Sequence, residues 1–261
     1  MLSSCLVDCL QKMKNKFTPK FAGLIFILLA FLCGGTPDAR AGNWAEVDSI
    51  EYVSGYLARL LINENPFPGE NGYKSVEDSK IGMVQILWVL HSRIHHIPHG
   101  YRQEHIANIK SDNIIDVITA QGQCDGFSRD QKGNAVVVRR VEERLGYLLA
   151  IANKGSKPGK FSELINYGQG LASAYVEGGI NQADRFAGLE IIQKIMVTGR
   201  AYSWMTDKDY YNPGGNFVSI PDSLDGSIGG NRFFTLKRAT STTQARNPNI
   251  DPPRRTKQIG N

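Results

Sequence analysis

The chain has 261 residues, with 30 Lys+Arg against 25 Asp+Glu, a formal charge of +5 and four cysteines. At 41% hydrophobic and 21% charged it can build a sizeable core, which excludes a broadly disordered polymer. The length suits one large domain or two small ones, and without a CxxC pair the cysteines suggest neither a zinc ribbon nor a disulfide-dense scaffold.

An excess of positive charge raises nucleic acid or an anionic surface as a partner. Its distribution separates the two. Residues 1–41 hold five Lys/Arg and two Asp/Glu (net +3), and residues 231–261 hold seven and one (net +6). The body, 42–230, holds 18 and 22 (net −4), so nucleic acid is not the expected partner.

Phe21 to Cys33 is the most apolar stretch. As a helix it would reach about 20 Å, short of the ~30 Å hydrocarbon core. Lys12, Lys14, Lys16 and Lys20 precede it, and Ala39-Arg40-Ala41 follows with small residues where signal peptidase needs them. Residues 1–41 therefore read as a cleavable signal peptide and the protein as secreted or periplasmic; an uncleaved membrane anchor is the alternative. Three of the four cysteines leave with this leader, and Cys124 remains.

Beyond it, Ile50, Val53, Leu57, Leu60 and Leu61 recur at spacings of three and four, predicting an amphipathic helix over 47–63. Pro66, Pro68, Gly69 and Gly72 break the chain into a loop. Helical spacing resumes over 80–95, and Ser111 reads as the N-cap of a short helix holding Ile114, Ile115 and Ile118. Residues 121–129 read as a Gly-containing loop. Further helices are predicted over 135–153, 161–175 and 184–197. From Gly199 onward Tyr, Asn, Gly and Pro dominate, and Gly229 to Phe234 reads as a turn into a short strand. Residues 239–261 have almost no apolar side chains and read as a disordered basic tail, suited to an anionic envelope surface. The expected fold is mainly α (α+β), one helical domain over 42–238 with a small irregular or β C-terminal part.

Glu64 stands out. It lies seven residues after Leu57 and four after Leu60, on the core side of its helix and at the C-terminal end. Partial desolvation and the negative end of the helix dipole both disfavour the carboxylate there. That environment suits a general acid, a carboxyl kept protonated near neutral pH. A solvated Glu at a frayed helix end is the plain alternative.

Five segments carry a resemblance. Leu57-Ala58-Arg59-Leu60-Leu61-Ile62-Asn63-Glu64, Gly82-Met83-Val84-Gln85 through Arg93-Ile94, Asn113 to Ile118 with Gln121-Gly122-Gln123, Tyr210-Tyr211-Asn212-Pro213, and Ile228 to Phe234 stand in one order. Together they resemble the motifs of the SleB-type (spore-cortex-lytic) cell wall hydrolases over roughly residues 50–236. Ser92, Cys124-Asp125 and Asn231 depart from the family pattern, and the stretch from Lys132 to Gly199 is longer than the family core.

The resemblance implies a lysozyme-like, lytic transglycosylase-like fold and cleavage of the MurNAc–GlcNAc β-1,4 bond of peptidoglycan, with Glu64 as catalytic acid and no cofactor. Glycan strands would be the partner. Gln123 and Asn231 would line the cleft, Tyr202, Tyr210 and Tyr211 would stack on sugar rings, and Arg93 would bond the loop carrying Glu64. A lysozyme-fold protein that binds glycan or an envelope partner without cleaving is the reading from another class. A hydrolase would need a second carboxylate at about 5–9.5 Å, for which Glu70, Glu77, Asp78 and Asp125 are candidates. Arg59, off the apolar stripe, reads as a surface residue.

All five histidines lie between His91 and His105. The four-residue spacings of His91, His95 and His99 fit zinc on a helix, but no Glu completes a HExxH motif and Pro98 interrupts the pattern, so a polar rim is expected instead. Cys124 as a nucleophile would need a nearby His base.

Overall fold

The first helix, α1 (Val53–Asn63), buries Tyr56, Leu57, Ala58, Leu60, Leu61 and Ile62, the stripe that the spacing predicts. It begins later than expected because residues 48–52 turn back on its first turn. Tyr52 N–H donates to Ser49 O (3.1 Å) and Ser54 Oγ to Asp48 Oδ2 (2.7 Å). The backbone passes so close that a Cβ at Gly55 would overlap Ser49 O. These coordinates are a computed structural model, which describes residues 44–154, 156–195, 197, 199–206, 215–220 and 228–238. The leader, Tyr210, Tyr211 and the 239–261 tail lie outside the described residues.

Helix α2 (Val76–His95) starts four residues earlier than predicted because Ser75 caps it, its side chain accepting Asp78 N–H at 3.0 Å. Glu77 and Asp78 sit in the first turn, where the helix dipole favours negative charge. Residues 81–90 are all buried, so α2 is the central helix. Two short helices follow, α3 (Glu104–Ala107) and α4 (Ile114–Thr119). The cap of α4 is Asn113, whose side chain accepts Ile115 N–H at 2.8 Å. Ser111 acts one step earlier, accepting Asn113 N–H and donating to Asp116.

The expected loop at 121–129 and helix from 135 are corrected by a hairpin. Strands β1 (Phe127–Arg129) and β2 (Ala135–Val137) pair antiparallel. Asp130 closes the turn by accepting from Lys132 N and Asn134 N, both at 2.8 Å. Three consecutive valines, 136–138, suit strand rather than helix at this point. Tyr56 pins the hairpin to α1, its ring edge-on to Phe127 and its hydroxyl donating to Val136 O at 3.1 Å. Helix α5 (Arg139–Ala152) follows, burying Val141, Leu145, Leu148 and Ala152.

Helix α6 (Lys160–Ala187) covers the predicted 161–175 segment and runs on into the first residues of the predicted 184–197 segment, with a kink at Gly178–Gly179 where φ reaches 65° at Gly179. Gly188, at φ 85°, ends it, so the predicted helix over 184–197 is reduced to a single turn, α7 (Leu189–Ile192). Along α6, Gly168 lets the helix approach α1: a Cβ there would lie 3.0 Å from Ile62 Cγ1. Trp88 Nε1 donates to Asp184 (3.0 Å) and ties α2 to the same helix.

Three further short strands lie among the described residues: β3 (Ser203–Thr206), β4 (Phe217–Ser219) and β5 (Asn231–Leu236), in the antiparallel order β3-β5-β4. Trp204 pairs with Phe233 and Thr206 with Asn231. The Gly229-Gly230 turn into β5 is where the sequence places it, and β3 and β4 extend the small sheet beyond expectation. The described chain is thus mixed α+β, helical at its centre. No described helix is long and apolar enough to cross a membrane.

Candidate active site

Glu64 occupies the C-cap of α1 in helical conformation (φ −82°, ψ −5°), its N–H bonded to Leu60 O at 2.9 Å. The helix therefore fixes where the side chain leaves the backbone. Trp204 Nε1 on β3 donates to Glu64 Oε2 at 3.0 Å, and Asn63 Nδ2 approaches Oε1 at 3.3 Å. Burial pushes the Glu64 carboxyl up from its ordinary value, opposed by these two donors. The charge of Asp125 pushes the same way as burial, and Arg144 opposes it. A carboxyl met by neutral donors and squeezed from water holds its proton above the usual Glu range.

The wall behind Trp204 is built from α2. Arg93, 4% exposed, donates from Nε to Tyr202 O (2.8 Å) and lays its guanidinium over the Trp204 ring at 5.0 Å. Burial lowers the Arg93 pKa to about 10. Arg93 thus supports the partner of Glu64 and does not hold the loop after it, as the resemblance implies. That loop is held by Arg144 of α5, together with Glu70.

Beneath Glu64 the packing is tight. Asn231 Nδ2 donates to Glu64 O at 2.6 Å and to Gly229 O at 2.9 Å. Asn65 Nδ2 donates back to Leu61 O at 2.7 Å. A Cβ on Gly82 would overlap Asn65 Oδ1 and come within 2.8 Å of Gly229 Cα. Gly82 and Gly229 pack against each other and the Asn65 side chain so closely that neither glycine position admits a Cβ, joining α2, the end of α1 and the β5 turn.

Of the residues expected to line a cleft, Asn231 is 1% exposed and fixes the Glu64 backbone. Tyr202 is 4% exposed, its hydroxyl donating to His96 O at 2.7 Å, so its ring belongs to the wall. Gln123 is half-buried on the loop after α4, its N–H bonded to Ala120 O. A cavity of about 400 Å³ lies along this loop, lined in part by Gln121, Cys124, Asp125 and Ser128. Glu64 is not among its lining residues. Asp125 and Cys124 make the link, since both interact electrostatically with Glu64.

Cys124 is buried, and burial pushes its thiol up to about 12, the reverse of an activated nucleophile. Arg59, expected at the surface, donates to Glu142 (2.7 Å), Asp48 O and Gly55 O with its side chain 11% exposed. At the zinc spacing the rings pack tilted and edge-on against one another instead. His91 packs against His95 at 4.4 Å and shares a hydrogen bond with Tyr175 Oη at 3.2 Å. Among the described residues no group of three or more His, Cys, Asp and Glu is placed to share a metal ion.

Two residues escaped the sequence reading. Arg144 sits three residues after Val141 and four before Leu148, on the buried stripe of α5. An arginine there is a legible sign of a buried partner. Trp204 carries no such sign, because its role depends on β3 lying beside the end of α1.

Compared with known proteins, no family model, no curated protein and no solved structure matches the chain.

Proposed function

We propose that the protein is an exported peptidoglycan-cleaving enzyme of lysozyme-like fold, acting on the MurNAc–GlcNAc β-1,4 bond as a lytic transglycosylase. The observation that carries this reading is the setting of Glu64, a carboxyl at a helix C-terminus raised above its ordinary pKa by burial and held by an indole N–H. In the proposed reaction Glu64 gives its proton to the glycosidic oxygen as the C1–O4 bond breaks. The carboxylate then takes the proton of the MurNAc C6 hydroxyl, and O6 closes on C1 to form the 1,6-anhydro ring. One carboxyl is regenerated per turnover, and no water or cofactor is consumed.

The engagement of the other carboxylates favours this route over hydrolysis. Glu70 is paired with Arg144, Glu77 with Lys194, and Asp78 accepts Gly229 N–H. Asp125, whose charge reaches Glu64, is paired with Arg140 at 2.7 Å. A hydrolase would need one of them free to activate water. Digestion of purified sacculi followed by mass spectrometry tests the proposal. Anhydromuropeptides are expected, reducing MurNAc ends would make the protein a hydrolase, and no product, as for a glycan-binding protein, would overturn the reading.

A further inference from the structure

The guanidinium of Arg144 uses all five of its N–H groups on one short piece of chain. Nε donates to Glu70 Oε1 (3.0 Å), and Nη2 donates to Glu70 Oε2 (2.6 Å) and Asn65 O (3.0 Å). Nη1 donates to Ile62 O (2.9 Å) and, more weakly, to Asn63 O (3.4 Å). Glu70 Oε2 also accepts Phe67 N–H at 2.7 Å, which closes the loop on itself. The guanidinium carbon lies 5.5 Å from the Phe67 ring centre. The last carbonyls of a helix ordinarily lack partners. Here those of Leu61, Ile62, Asn63, Glu64 and Asn65 all accept side-chain donors, three of the five from Arg144.

We propose that Arg144, with Glu70 as its counter-charge, is the positioning residue of the catalytic carboxyl. It touches the backbone on both sides of Glu64 and sets the direction in which the side chain leaves α1. The proposal rests on Glu64 being the acid. It assigns Glu70 to the support and removes it as a second catalytic carboxylate. It also gives a purpose to the long stretch between Lys132 and Gly199, since α5 brings the arginine. A bidentate, planar fork is what the site uses, so lysine is a poor replacement.

The test compares Arg144→Met, Arg144→Lys and Glu70→Gln in the full chain, each verified as folded by its near-UV dichroism and melting curve. Two readouts are taken: kcat and KM on sacculi, and the indole N–H resonance of Trp204, assigned with Trp204→Phe. In Arg144→Met, kcat is expected to fall about tenfold to a hundredfold with KM within about twofold, because a misplaced acid spoils the attack geometry more than binding. The indole resonance leaves its hydrogen-bonded position, and its titration midpoint rises as the opposing positive charge is lost. Arg144→Lys keeps the charge and leaves the midpoint near that of the wild type, while kcat still falls. Glu70→Gln loosens the same guanidinium without removing its charge, so kcat falls and the indole resonance moves at smaller size while the midpoint does not rise; it carries the test if Arg144→Met does not fold.

Folded variants with wild-type kcat and an unmoved indole resonance would overturn the positioning role. A Glu64→Gln protein with full activity, or a wild type without products, would overturn the catalytic reading instead. The indole resonance would then still decide whether Arg144 holds the Glu64 side chain in place.

Discussion

The C-terminal ends of α1 and α2 are built on opposite rules. Helix α2 ends with Arg93 and His95 in its last turn, basic side chains of the kind the helix dipole favours there, and His95 and His96 are exposed. Helix α1 ends on Glu64, a carboxyl where the dipole disfavours negative charge, with no basic residue in its last turn. The first arrangement follows the helix dipole, and Arg93 acts on the site through Trp204. The second sacrifices stability to hold a proton, and five side-chain bonds to its terminal carbonyls rebuild what the wrong charge weakens. A helix end that opposes the usual electrostatics and is reinforced all round is what the proposed role of Glu64 requires.

The contrast predicts its largest effect at Glu64 itself. Glu64→Gln should reduce sacculus cleavage by about 10²–10⁴-fold, the usual contribution of a general acid, as read by release of soluble muropeptides. The same variant should be more stable at neutral and alkaline pH. Because the folded pKa is raised, the wild type loses stability as pH rises from the ordinary Glu value through the folded one. Melting curves of the two proteins should converge below the ordinary Glu pKa and separate above it. Curves that stay parallel across that range would put Glu64 on the same footing as the end of α2.

Removing the indole donor sharpens the point. Trp204→Phe keeps a ring for Arg93 to stack on but loses the bond that favours the carboxylate, so the Glu64 pKa rises further. The alkaline limb of the pH–rate profile should move up, with activity at the optimum reduced about tenfold. A limb that stays in place would mean another group sets it. Smaller again is Gly82→Ala, which forces a methyl into the Asn65 and Gly229 stack. Overpacking there should cost about 1–3 kcal/mol, visible as a drop in Tm and a partial loss of activity.

The least effect on activity belongs to the end of α2. His91 is half-buried, and its pKa is pushed down to about 4 by burial, with His95 and His96 adding to it. Its share of stability is present above pH ~6.5 and is lost as pH falls from there towards 4. His91→Gln should flatten that loss, seen as a smaller fall in Tm between pH 6.5 and about 4, without shifting the pH–rate profile. A shifted profile would couple the two helix ends.

The sequence shows much of the first of these ends and little of what surrounds it. Leu57, Leu60 and Leu61 place α1, and the same spacing puts Glu64 at its last turn, because local periodicity survives folding. The cap of α2 was equally local, Ser75 with Asp78, but lay in the shadow of the preceding Gly- and Pro-rich loop. The valines at 136–138 fit a helix edge as well as a short strand, because periodicity alone does not separate the two. Gly188 stops a helix that the apolar pattern would have continued. Arg144 was legible as a cation on an apolar stripe, whereas its partners, Ile62, Asn65 and Glu70, were not, since nothing local links them. Trp204 and Asn231 belong to strands whose pairing the sequence leaves open.

The span of those links has a consequence in time. The bonds to Glu64 from Trp204 and Asn231 bridge 140 and 167 residues, and those from Arg144 to the loop bridge 74 to 82. Bringing such distant parts together costs on the order of 4 kcal/mol of chain entropy before any contact forms. Helix α1 can coil early, yet its last residue becomes an acid of altered strength only once three remote segments have arrived. Until then Glu64 is an ordinary carboxylate, so under the proposed function a newly made or still-unfolded chain would carry the residue without the reactivity, and competence would be among the last properties the protein acquires.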